Sequence, residues 1–103
     1  MARIRDIAQA CKSKNAGPFE LTIDVVFEDK ALFERVRATG VLGPALFAQL
    51  YGVAEDQVLF TAYPAGYAFK ATIPRAVSAG DIGDTDVYGA QQHAPLLDVE
   101  VPL

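Results

Sequence analysis

The sequence predicts an α+β domain, with about four short strands in a mainly antiparallel sheet and helices on one face. Three observations carry this. Apolar and polar residues alternate over Phe19–Phe27, Tyr67–Ile73 and Leu97–Val101, the period-two pattern of half-buried strands. Between the first two, Leu32, Phe33 and Val36, then Leu46, Phe47 and Leu50, recur at helical spacing. The chain has 103 residues, 51% of them apolar, which fits one domain with a single packed core.

The elements follow in order. Ile4, Ile7, Ala8 and Cys11 predict a short helix over 3–11. Lys12–Pro18 breaks it, because Asn15-Ala16-Gly17-Pro18 joins a residue tolerant of left-handed backbone to a helix stop. In the first strand Phe19, Leu21, Ile23 and Val25 share one face, with Glu20, Thr22 and Asp24 on the other. Asp29 is placed to cap a helix running through Ala38, and Gly40 stops it. Pro44 opens a second helix to about Tyr51, which Gly52 ends. Gln57–Tyr63 and Tyr67–Ile73 form a hairpin about the turn signal Pro64-Ala65-Gly66. Leu97, Val99 and Val101 give the last strand, with Pro102 suiting an edge open to another chain. The predicted arrangement is a ferredoxin-like sandwich, with the stretch 80–95 standing where a second helix usually lies.

Composition excludes several classes. No run approaches the ~20 apolar residues of a membrane-spanning helix, and the polar opening Met-Ala-Arg-Ile-Arg-Asp-Ile is unlike a secretion signal. The single cysteine, Cys11, has no internal disulfide partner, which fits a reducing, cytoplasmic setting. It reads as a small apolar residue. Net charge is −4, and the nine basic residues are spread along the chain. Nucleic-acid binding is not expected unless folding gathers a patch.

The segment Gly80–Pro95 is the strongest functional signal. It holds Gly80, Gly83 and Gly89, Asp81, Asp84 and Asp86, Tyr88, Gln91 and Gln92, and the only histidine, His93. Glycines shape a loop, and a loop this rich in proton-exchanging groups is expected to recognise something. His93 titrates near neutrality and is the candidate acid or base; its plain alternative is a hydrogen bond to the loop backbone. Asp84 and Asp86 either project together in extended chain, raising each other's pKa or holding a cation, or bond their own turns, the favoured alternative. Zinc spacing and a calcium-loop pattern are both lacking, so no metal is assigned; a hard-cation site of Asp81, Asp84 and Asp86 has weak support. Neither a nucleophile elbow at Ser13 or Ser78 nor a phosphate loop is present. Lys12 and Lys14, with Asn15, either bind a carboxylate or phosphate or are the solvated end of a helix, and composition alone favours the second. Lys70 is either exposed or buried against a partner, and Tyr63 and Tyr88 read as packing residues with a wet hydroxyl.

Four segments together resemble a known family: Ser13-Lys14-Asn15-Ala16-Gly17-Pro18-Phe19-Glu20, Tyr51-Gly52-Val53, Lys70-Ala71-Thr72-Ile73-Pro74-Arg75, and Gly83 to Leu97, which reads GDTDVYGAQQHAPLL. The chain is similar along nearly its whole length to the AtuA-like ferredoxin-fold domain of bacteria. The resemblance implies a small subunit working with a larger protein related to the acyclic terpene utilisation protein AtuA, in carboxylate or acyl-CoA catabolism. It assigns no catalytic residues and no cofactor. Joined to the polar loop, it leads to an expected lyase (hydro-lyase) chemistry: addition or removal of water, with His93 as acid or base, Asp84 or Asp86 orienting it, and Lys14 and Asn15 holding the anionic group. Tyr88, Gln91 and Gln92 are the further substrate-binding candidates. The rival expectations are a non-catalytic assembly module and a free-standing enzyme; a homo-oligomer is compatible with each.

Overall fold

The computed structural model describes residues 1–17, 19–74 and 94–103. In chain order the elements are β1 (Ala2–Arg3), α1 (Ile4–Ile7), β2 (Ala10–Asn15), β3 (Glu20–Val26), α2 (Lys30–Thr39), α3 (Pro44–Tyr51), β4 (Leu59–Tyr63), β5 (Ala68–Pro74), α4 (Ala94–Leu97) and β6 (Glu100–Val101). Four of the strands form one sheet in the order β2-β3-β5-β4, every neighbour antiparallel. β3, the helix pair, β4 and the inserted β5 make a split β-α-β unit, which is the ferredoxin-like arrangement within an α+β fold.

Local chemistry explains the middle of the chain. The Asp29 carboxylate accepts a hydrogen bond from the Leu32 amide at 2.8 Å, capping α2, and Gly40 closes that helix at φ +70°. Asp29→Ala is expected to cost about 1 kcal/mol, seen as a lower urea midpoint with an unchanged slope. A loss below about 0.3 kcal/mol would show that the cap is dispensable. Pro44 sits in the first turn of α3, and the helix ends at Gly52.

The core lies between the sheet and α2 and α3. Leu21, Ile23 and Val25 of β3 and Phe69, Ala71 and Ile73 of β5 are buried and face the helices. Phe33 of α2 stacks on Phe69 at 4.8 Å, and Phe47 of α3 meets Phe60 of β4 at 5.9 Å. Tyr67 takes a left-handed backbone at φ +52° after the turn at 64–66. Its ring lies 6.4 Å from that of Phe33, and its carbonyl accepts from the Phe27 amide at 2.8 Å.

Three expectations are corrected. The predicted helix over 3–11 is α1 alone, and Cys11 lies instead on β2, which pairs along its whole length with β3 from Ala10↔Val26 to Asn15↔Leu21. What read as a helix break is a strand, because pairing satisfies the backbone groups along that edge of β3. Phe19 is not on the buried face: it precedes the strand, in the turn closed by the Ala16 amide on the Glu20 carbonyl, and is 66% exposed. The last strand does not join the main sheet. Leu97 ends α4, and Glu100–Val101 pairs with Ala2–Arg3. Ile4, Leu96 and Val101 are buried there, and Arg5 bonds Asp98 through Nη2 at 2.6 Å and Nε at 3.0 Å.

Candidate functional site

Strand β2 separates two groups of side chains. Opposed residues in an antiparallel pair share a face, so Cys11, Ser13 and Asn15, opposite Val25, Ile23 and Leu21, point to the helix side. Lys12 and Lys14, opposite Asp24 and Thr22, point to the side of the sheet away from α2 and α3. That side continues through Lys70 and Thr72 of β5 to Thr61 and Leu59 of β4. One row across the sheet is therefore Lys12, Asp24, Lys70 and Thr61; the next is Lys14, Thr22, Thr72 and Leu59.

The outer face is polar at its centre. The hydroxyls of Thr22 and Thr72 lie 3.5 Å apart. Among the described residues the one ion pair is Arg5–Asp98, so Lys12, Lys14 and Lys70 have no carboxylate partner there. Folding thus gathers three of the nine basic residues on one face, mixed with Asp24 and Glu20 rather than forming a purely cationic stripe. Such a face suits an anionic group flanked by hydroxyl donors.

The helix side of β2 is a half-buried polar corner. Ser13 is buried, and Ser13, Asn15 and Tyr51 all have partners. Burial, and next the charge of Asp24, push the Cys11 thiol up to about 11. Burial, and next the neighbouring Cys11, raise the Tyr51 phenol above its ordinary range. Tyr51 also stacks on Phe47 with centroids 6.3 Å apart. Both groups are therefore neutral near pH 7, suited to hydrogen bonding rather than to nucleophilic attack. At pH 8 the folded chain is expected to alkylate at Cys11 ~10²-fold more slowly than the urea-unfolded chain. Equal rates would remove the burial argument. Because the folded thiol holds its proton longer than the unfolded one, its contribution is complete below about pH 8.5 and is lost as pH rises through about 11.

Of the predicted site residues, Lys14 and Asn15 are neighbours in sequence that the strand sends to opposite faces, so they do not converge on one group. His93, Asp84, Asp86, Tyr88, Gln91 and Gln92 lie outside the described residues, as does the cation candidate Asp81. The described residues on either side of 75–93 are Pro74 and α4. Pro74, opposite Glu20, is at the Asn15 end of the sheet, and α4 packs beside α1. Sequence reasoning missed Tyr51 and the grouping of Lys12 with Lys70; Ser13, expected in the break at 12–18, is instead buried on β2. The signal for Tyr51 was its place in a short motif shared with the resembled family; the lysine grouping had none, because it depends on strand register.

Among the described residues no helix is long and apolar enough to cross a membrane, and no three His, Cys, Asp or Glu side chains cluster as metal ligands. Fold and surface together define a small α+β domain of ferredoxin-like arrangement, with one sheet face packed on helices and a polar face opposite. Residues 4–100 match the family model DUF4387, a domain of unknown function, and the chain belongs to that family. No curated protein and no solved structure matches it.

Proposed function

We propose that this domain is the small subunit of a heteromeric bacterial enzyme, docking the outer face of its sheet on a larger AtuA-like protein. The observation that carries the reading is a set of cations on one face: Lys12, Lys14 and Lys70 stand on the face opposite α2 and α3 without a described carboxylate partner, in a chain whose net charge is −4. Cations held on a regular strand surface complement carboxylates of a partner or the anionic end of a substrate. The AtuA-like resemblance supplies the substrate class, a carboxylate or acyl-CoA, and joined to the polar residues of 80–95 it motivates the chemistry, addition or removal of water in a lyase reaction.

In this scheme His93 moves the proton and Asp84 or Asp86 orients it, with Tyr88, Gln91 and Gln92 binding substrate. Lys14 meets the anionic group from the outer face. Asn15 is reassigned to the corner with Ser13. His93→Ala in the assembled complex is expected to lower kcat by ~10²-fold or more. Unchanged turnover would withdraw the catalytic role.

A non-catalytic assembly module is the second reading. It is favoured by the two described groups with displaced pKa values, Cys11 and Tyr51, since both are held protonated and neither is poised for acid–base work at neutral pH. On that reading His93→Ala weakens association and leaves the turnover of the formed complex alone.

A further inference from the structure

We infer that β4 is a self-association edge, where a second copy of this chain pairs antiparallel through its own β4 and joins two four-stranded sheets into one. Among the described residues β4 has a neighbour on one side only, β5. Its sequence, Leu59-Phe60-Thr61-Ala62-Tyr63, carries no charge. Leu59 is 66% exposed and Tyr63 48%. Folded domains ordinarily protect a free edge with lysines, prolines or bulges.

The opposite edge has that protection. A two-fold pairing of β2 about Ser13 would set Lys12 against Lys14 of the second copy, twice over by symmetry, and like charges directly opposed are destabilising. The same operation on β4 about Thr61 sets Leu59 against Tyr63 of the second copy and Phe60 against Ala62. The outer-face pair is then aliphatic on aromatic, a favourable cross-strand combination. The edge is bounded by the turn at 55–57 and by Pro64, so the partner strand must be short, and a second β4 has the required length. Main-chain hydrogen bonds along the edge supply affinity, and the alternate side chains supply register. The interface is isologous and closes on itself as a dimer. It leaves Lys12 and Lys14 at the far edges of the joined sheet, so it does not rest on the proposed larger partner.

Sedimentation equilibrium of the full chain alone, over about 1–100 μM, is expected to show a reversible dimer. Leu59→Lys with Tyr63→Lys should weaken that dimer about tenfold or more, since like charges then face each other across the two-fold. Leu59→Lys with Tyr63→Glu should retain it, because the same register now opposes unlike charges. Both positions are on the surface, and unchanged far-ultraviolet dichroism verifies the fold of each variant. A wild-type monomer throughout the range, dimers retained in both variants, or dimers lost in both alike would overturn the inference.

Discussion

Phe69→Ala is expected to remove about 3–5 kcal/mol from the stability of this domain. Phe69 is buried on β5, and its ring meets three others: Phe33 stacked at 4.8 Å, Phe60 stacked at 5.8 Å, and Phe27 edge-on at 5.9 Å. Those rings come from α2, β4 and the residue that follows β3, so truncation opens a cavity where the sheet and a helix are joined. The cost combines lost transfer free energy with lost contacts that the neighbours recover only in part. Against a total stability of about 5–15 kcal/mol for a domain of this kind, that loss is between about a fifth and the whole of it. Phe69→Leu keeps more of the volume and should cost about 1–2 kcal/mol. Urea unfolding of the two variants checks both numbers. A loss below about 1 kcal/mol for the alanine variant would show that the aromatic cluster does not hold the layers together.

If the proposed larger partner docks on the outer face, reversing Lys12 and Lys14 together to Glu should weaken that binding by ~10²-fold, equivalent to about 2.7 kcal/mol. Both side chains are exposed on an edge strand, so folding should survive, with the loss concentrated in association. Opposed like charges at a docking surface cost several kcal/mol and slow encounter. For the same reason the wild-type association rate should fall steeply between low and physiological salt. Lys70 is a poorer test. It lies half-buried on an interior strand, where Lys70→Glu would set a repulsion against Asp24 within the sheet that Lys12→Glu, also opposite Asp24, meets only at the exposed edge. Affinity and salt dependence both unaffected by the double reversal would place the partner on another surface.

Much of the candidate chemistry was legible as residue type and little of it as geometry. The Gly80–Pro95 segment announces itself by composition, since glycines, carboxylates and the sole histidine crowd together there. Lys14 and Asn15 looked like one binding unit because they are adjacent. Only the strand assignment shows that adjacency sends them apart, while Cys11 and Tyr51, remote in sequence, become neighbours. Groups on one face of a sheet are related by register, and register is set by pairing with another strand.

By itself the sequence determined the interior strands, the two capped helices and the hairpin. Leu21, Ile23 and Val25, the Asp29 cap and the turn at Pro64 each act over a few residues, where hydrophobic periodicity and backbone preference are strong. Tertiary structure alone decided that Ala10–Asn15 is a strand and that the last strand closes on the first. Of the three inward positions on β2 (Cys11, Ser13 and Asn15) one is apolar, so no alternation marks the segment. What fixes it is the edge of β3, whose amides and carbonyls need partners when the sheet forms. The alternation of Leu97, Val99 and Val101 marks a last strand, but its pairing of Glu100–Val101 with Ala2–Arg3 is a contact between the two ends of the chain that no local pattern encodes.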